Sequence, residues 1–235
     1  MKSTNSFSER PDRVRSAGRK PRADGVRSRQ AILHAAANLA TTRGLHALSI
    51  GELAQHIGMS KSGLFAHFKS KEELELATIE TAMEIFEREV LLPAAKSASG
   101  LDRVFALAEA FLAHLERRVF PGGCFFVAVA VQLAAEPGRA RDRVLGAQQQ
   151  WQQQFVDALH QAVDRGEVRA DTDIDRTVFE ITAMLLRANF AWMLSADAAA
   201  LDLARAGIRD VLGHPADSSR PHDRPKRSRN SRRRT

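Results

Sequence analysis

The 235-residue sequence predicts an all-α protein, an N-terminal three-helix domain of helix-turn-helix type joined by a long helix to a C-terminal helical bundle. Three observations carry this. Apolar residues recur at steps of three and four through nearly the whole body, Gly and Pro fall between the periodic segments, and only one stretch has a strand-like composition.

Residues 26–42 place Ile32, Ala36, Leu39 and Ala40 on one face before Gly44 stops the helix. A short helix over 50–57 has Ser49 as its N-cap; Gly58 follows, and Ser60 caps a third helix running to Phe68. Ser70 and Glu73 form a capping box that opens a long helix over 71–92, whose stripe is Leu76, Ile79, Met83, Phe86 and Val90 and which Pro93 ends. Residues 101–119 carry Val104, Ala108, Phe111, Leu115 and Val119, and residues 139–165 carry Val144, Trp151, Phe155, Leu159 and Val163. Two further helices cover 173–195 and 198–212. Residues 124–135 hold Phe125, Phe126, Val127, Val129 and Val131, which suit a strand by propensity. A lone strand would have no partner in this chain, so a buried helix is expected there.

Charge divides the chain. Residues 1–30 hold nine Lys/Arg and three Asp/Glu, residues 214–235 hold eight and two, and the body between carries −5 of the total +7. Both ends are rich in Ser, Arg, Pro and Asp and poor in apolar residues, so residues 1–25 and 214–235 are expected to be disordered basic arms. Such arms attract polyanions in a salt-sensitive way, or serve only solubility. Between them the chain is expected to divide into an N-terminal unit over 26–86, with a helix-turn-helix pattern at 49–68, and a second domain over 87–213. The single Cys124 excludes an internal disulfide; no apolar run reaches the length of a bilayer span and none resembles a signal peptide, so a cytoplasmic protein without a membrane partner is expected.

A helix-turn-helix needs a small residue where its helices cross and a residue tolerant of unusual backbone angles at the turn. Ala54 and Gly58 meet these needs, and Leu53, Ile57, Met59 and Leu64 supply the apolar contacts. The next helix begins Ser60-Lys61-Ser62-Gly63, small and cationic groups at an end that favours phosphate and lets the backbone approach base edges. An ordinary helical hairpin shares the turn pattern alone.

The longer string is more specific. Arg29-Gln30-Ala31-Ile32-Leu33 with Ala36, then Gly44-Leu45, Ser49-Ile50-Gly51-Glu52-Leu53-Ala54, and the unbroken run from Gly58-Met59-Ser60-Lys61 through Lys71-Glu72-Glu73-Leu74 resemble the N-terminal domain of the TetR family of regulators. The resemblance covers residues 27–83 and departs at Phe65, where the family usually has Tyr. It implies groove contacts from Lys61, Ser62 and Gly63 beside the Ser60 cap, and phosphate contacts from Ser49, His67 and Lys71. Phe65 either touches a thymine methyl or sugar or packs, packing being preferred; His67 is equally readable as a partly buried neighbour of Phe68. The resemblance further implies a C-terminal domain that dimerises through its last two helices and holds a small-molecule pocket, hence double-stranded DNA with a palindromic operator, a homodimer and an unidentified effector, apolar or aromatic, as partners. An ordinary reading of the Ala-rich stripes on those helices is that they face their own core. Pocket candidates are Phe105, Phe111, Phe126, Trp151, Phe155 and Met184 with polar groups from His114, Gln148 and Arg187, each also readable as core. The Gln run around Trp151 is either a solvated face or a polar pocket wall. Cys124, inside an apolar run, reads as a protonated packing residue.

Enzyme signatures are missing from the chain. The sequence has no P-loop, no Gly-x-Ser-x-Gly elbow and no His-Glu-x-x-His pair, and its eight histidines sit singly, so neither catalysis nor a cofactor or metal is expected. Glu72, Glu73, Glu75 and Glu80 read as a solvated helix face. A non-specific architectural DNA-binding protein would explain the basic arms equally well.

Overall fold

The computed structural model describes residues 21–97, 100–135 and 137–213, all of its regular elements being helical. The helices are α1 (Pro21–Arg43), α2 (Ile50–His56), α3 (Lys61–Phe65), α4 (Lys71–Phe86), a π turn (Glu87–Leu91), α5 (Leu92–Ala94), α6 (Gly100–Glu116), α7 (Phe125–Leu133), α8 (Arg139–Asp164), α9 (Ile174–Ser195) and α10 (Ala198–Val211). Residues 21–25, expected in the N-terminal arm, are helical; the rest of that arm and the C-terminal one lie outside the described residues.

The N-terminal body is α1 to α3 with the first half of α4. Ile32, Leu33, Ala36, Ala37 and Ala40 are the buried face of α1, which packs on α4. Leu53, Ala54, Leu64 and Phe68 close the same core. Phe68 is fully buried beneath the Arg29 guanidinium, 4.3 Å from its ring centroid, and truncating such a side chain costs about 3–5 kcal/mol.

The face of α4 differs from the expected stripe. Leu74, Glu75, Thr78, Ile79, Ala82, Ile85 and Phe86 are buried, whereas Leu76 and Met83 are half-buried, because α4 is covered by α1 on one side and by α8 on another. Glu75, expected to be solvated, is buried: its carboxylate pairs with His46 Nδ1 at 3.2 Å and with Lys71 Nζ at 3.7 Å.

Pro93 does not end the long helix. A proline at this point has no N–H for the carbonyl of Glu89, and the chain widens into the π turn, with the Leu92 N–H bonded to the Glu87 carbonyl. Arg117, just past the end of α6, supplies donors from outside: its Nη1 pairs with the Glu89 carboxylate at 3.1 Å and its Nη2 reaches the Glu89 carbonyl at 3.5 Å.

The C-terminal bundle surrounds a core from Val104, Leu107, Phe111, Leu112, Leu115, Phe125, Val129, Phe155, Leu159, Ile181 and Leu185. Residues 124–135 form helix α7 as expected, although Val131 on its outer face is exposed. Helix α10 packs on α9 and is pinned to α6 by Arg205, which bonds Glu109 at 2.8 and 2.9 Å and Glu116 at 3.0 Å. Two ties join α1 to the bundle. The Gly122 N–H donates to Thr41 Oγ1 at 3.1 Å, and the Leu45 N–H donates to Gln132 Oε1 at 3.0 Å.

Candidate nucleic-acid interface and central cavity

The turn between α2 and α3 is set by local chemistry. Ser49 accepts from the Glu52 N–H at 3.0 Å to open α2. At its other end Gly58, with φ +69°, donates to the Gln55 carbonyl, and Met59 donates to the Ala54 carbonyl at 2.8 Å. This is a Schellman closure, and the left-handed Gly58 is the position that side chains resist. Ser60 then accepts from the Gly63 N–H at 3.1 Å and opens α3.

Lys61, Ser62 and Phe65 are exposed on α3, with Gly63 half-buried between them. Phe65 leaves 53% of its surface in solvent, so the preferred packing reading is incorrect for the isolated chain; helix α3 ends there and its outer side faces away from Leu64 and Phe68. Lys61, Ser62, Gly63 and Phe65 thus share one short surface with the Ser60 cap. Ser49 is exposed nearby, but its hydroxyl already bonds the Glu52 N–H and Glu52 Oε2. Lys71 also has internal partners, the His46 carbonyl and Glu75. His67 is half-buried with its ring 6.4 Å from that of Phe68, and its carbonyl accepts from Arg29. Arg29 also lies 3.7 Å from Glu73, so one guanidinium holds α1, the end of α3 and the first turn of α4 together. The Glu73 carboxylate accepts from the Lys69 N–H at 2.9 Å, one residue before the N-cap partner that a full capping box would use.

The bundle forms a cavity of about 830 Å³, partly open to solvent, between α4, the π turn, α6, α7, α8 and α9. Phe86, Phe111, Phe126 and Trp151 form an aromatic cage: Phe86 meets Trp151 edge-on at 5.2 Å and Phe126 edge-on at 5.8 Å, while Phe111 stacks on Trp151 at 5.9 Å. Of the expected pocket residues, Phe111, Phe126, Gln148 and Trp151 line this cavity. Phe105, His114, Phe155, Met184 and Arg187 do not. Phe155 is fully buried behind Trp151, 4.8 Å between ring centroids. Met184 is turned toward α10, its sulfur 2.5 Å from where a Cβ on Gly207 would stand. Arg187 is exposed, and Phe105 lies half-buried against the core. His114 is buried beside Phe86 and Phe120 with neither ring nitrogen hydrogen-bonded; desolvation, followed by the nearby Arg117, lowers its pKa to about 4.

Other lining groups were not anticipated. Glu80, Glu84 and Glu87 come from α4 and the π turn, Arg143 from α8, and Phe179 and Leu186 from α9. Arg143 donates to both oxygens of Glu80, with Nη2–Oε2 at 2.7 Å, which holds the Glu80 pKa down. The Gln run contributes to both alternatives: Gln148, Gln150, Gln152 and Gln154 line the cavity while Gln149 and Gln153 face solvent. Cys124 is in the cavity wall and fully desolvated, which pushes its thiol up to about 11, a protonated and unreactive state. Among the described residues no group of three His, Cys, Asp or Glu gathers to hold a metal ion, and no helix is long and apolar enough to cross a membrane.

Residues 32–78 match the description "Bacterial regulatory proteins, tetR family", and residues 100–208 match "Tetracyclin repressor-like, C-terminal domain". The chain belongs to the TetR family of transcriptional regulators. This family comprises regulators rather than enzymes. A curated relative, the HTH-type transcriptional activator FasR of Mycolicibacterium smegmatis, is 33% identical over 85 residues, 36% of this chain; the match spans about two fifths of the relative's length, 39%. Solved structures share the fold. A TetR regulator from Chloroflexus aurantiacus superposes with TM-score 0.76 at 24% identity, covering 82% of this chain and 98% of that one. One from Cytophaga hutchinsonii gives 0.71 at 18%, covering 81% and 95%, and AibR, solved with isovaleryl coenzyme A and operator DNA, gives 0.65 at 24%, covering 80% and 98%. In this TetR-family chain α4 begins inside the first matched region, after the link that follows α3, and its later turns line the cavity.

Proposed function

We propose that the protein is a homodimeric, sequence-specific DNA-binding repressor that reads a palindromic operator and is released from it by a small-molecule effector. One observation carries this reading: a single helix, α4, follows the recognition helix after a five-residue link, is tied to it through Arg29, and supplies Glu80, Met83, Glu84 and Phe86 to the cavity wall, so an occupant touches the element that positions α3. Ser60, Lys61, Ser62, Gly63 and Phe65 enter the major groove. Ser49, His67 and Lys71 flank them as contacts to phosphate, Ser49 and Lys71 exchanging their present internal partners to do so. The effector sits in the aromatic cage, and the preference of each ligand for one α4 position makes DNA and effector antagonise each other reciprocally.

Dimerisation rests on α9. Phe179, Ala183, Leu186, Phe190 and Met193 recur at steps of four and three along it and are exposed, with Leu203 and Val211 exposed on α10. A second copy buries these stripes in an isologous four-helix interface and covers the side of the cavity formed by Phe179 and Leu186. It also supplies the second recognition helix, spaced about 34–36 Å or a multiple of this from the first.

The test is selection of bound genomic fragments, followed by gel shift of the selected duplex with subunit mass followed in parallel and a promoter reporter for the sign of regulation. A dimer that prefers one inverted repeat is expected. Equal affinity for all duplexes at moderate salt returns the architectural reading, and a reporter that loses expression without the protein identifies an activator.

A further inference from the structure

As the effector site of the proposed function, on which reading the identity of its occupant rests, the cavity selects by charge as well as by shape. Its walls carry three carboxylates, Glu80, Glu84 and Glu87, against one cation, Arg143. Arg143 spends its Nε and Nη2 on Glu80, which cancels both charges locally. Among the described residues no hydrogen bond or ion pair engages the side chains of Glu84 and Glu87. They line the space together with the rings of Phe86, Phe111, Phe126 and Trp151 and the Gln148 and Gln150 side chains. Aromatic walls take up an apolar body, and unpaired carboxylates attract a cation through charge. An anionic headgroup would meet both carboxylates with no free cation in the wall. A neutral ligand would leave the carboxylates solvated but unused.

We infer that the ligand of this cavity is an amphiphilic organic cation, a single amine or quaternary ammonium on an aromatic or short alkyl body. The body fills the aromatic cage and the charged head lies toward Glu84 and Glu87. The volume of about 830 Å³ falls within the ordinary range for small-molecule sites, about 300–1,000 Å³.

Three probes share a phenylbutyl body and differ in headgroup: 4-phenylbutyl-trimethylammonium, 4-phenylbutanol and 5-phenylpentanoate; loss of the Glu84 and Glu87 charges then separates charge from the larger apolar head of the ammonium. Calorimetric titration into the full chain is expected to rank them in that order, the cation binding about tenfold or more tighter than the carboxylate. In a Glu84→Gln/Glu87→Gln double variant, two exposed positions with no structural partners, the cation weakens about fivefold or more, the carboxylate tightens and the alcohol is unchanged. Trp151→Leu weakens all three. A carboxylate that binds as tightly as the cation, a double variant that shifts all probes alike, or a cation that does not bind overturns the inference. A cation that shows this charge preference yet leaves the selected operator complex intact supports it and refutes the effector reading of the cavity instead.

Discussion

His114 makes the stability of this protein depend on pH in a calculable way. The imidazole is 1% exposed, in edge contact with Phe86 at 6.0 Å and Phe120 at 5.7 Å, and neither ring nitrogen has a hydrogen-bond partner. Charging it there strips a cation of water without compensation, and Arg117 adds repulsion that Glu89 only partly offsets, so its pKa falls from 6.5 to about 4. The unfolded chain takes up the proton below pH 6.5 and the folded chain does not until about pH 4. Stability from this group is therefore intact above pH 6.5 and is lost progressively as pH falls toward 4. At about 1.4 kcal/mol per unit, the loss is about 2 kcal/mol at pH 5 and approaches about 3 kcal/mol at pH 4.

The perturbation is His114→Leu, which keeps an apolar side chain against Phe86 and Phe120 and removes the titrating group. Urea unfolding of both proteins at pH 7.5 and 5.0 gives four free energies, and their double difference cancels the titrations that the two proteins share. The variant should gain about 2 kcal/mol relative to the parent on acidification. Parallel pH dependences, with a double difference below about 0.5 kcal/mol, would refute the reasoning, as would a His114 ring resonance titrating near pH 6.5 in the folded protein.

Gly122→Ala places a Cβ 2.1 Å from the Thr41 carbonyl oxygen, inside the backbone of α1, and should cost about 1–3 kcal/mol in thermal or urea unfolding. Ser62→Trp should abolish the preference for the selected operator over random duplex in a competition gel shift while leaving non-specific affinity nearly unchanged. Leu186→Glu with Phe190→Glu should convert the dimer to a monomer by light scattering, with unchanged helicity, because both side chains are exposed in the single chain. Removing residues 1–20 and 214–235 should flatten the salt dependence of DNA binding without changing the preferred sequence, since those segments hold much of the positive charge.

The N-terminal body was legible because its signals are local. Ser49, Ser60 and Ser70 each bond an N–H three residues on, and Gly58 takes the left-handed conformation that closes α2; all of this chemistry lies within a turn of the residue concerned. The fate of Pro93 was not legible for the opposite reason. The widened turn that absorbs it is braced by Arg117, in the turn after α6 and 28 residues from Glu89. The cavity divides the same way. Phe111, Phe126, Gln148 and Trp151 stand out as an aromatic and amide set, but whether an apolar residue faces a void or a neighbour depends on helix rotation, which sends Met184 to α10 and Phe155 behind Trp151. The carboxylates of α4 all look like surface in sequence. One turn decides that Glu75 is buried against His46 and Lys71 while Glu80 and Glu84 face the cavity.

The mechanics of the N-terminal body depend on where it is held. Arg29 locks α1, α3 and the start of α4 into one unit through the His67 carbonyl, the Phe68 ring and Glu73. That unit joins the bundle through α4 itself and through the ties from Gly122 to Thr41 and from Gln132 to Leu45. From Phe86 back to Ser70 is about 24 Å of helix at 1.5 Å per residue, so a tilt of about 5° moves the base of α3 by about 2 Å. A shift of this size exceeds the tolerance of a hydrogen bond to a base edge, whose donor–acceptor distance spans only about 0.5 Å. On the proposed function, a small tilt of α4 at Phe86, one of the aromatic residues lining the cavity, is therefore expected to spoil groove contacts at Lys61 and Ser62.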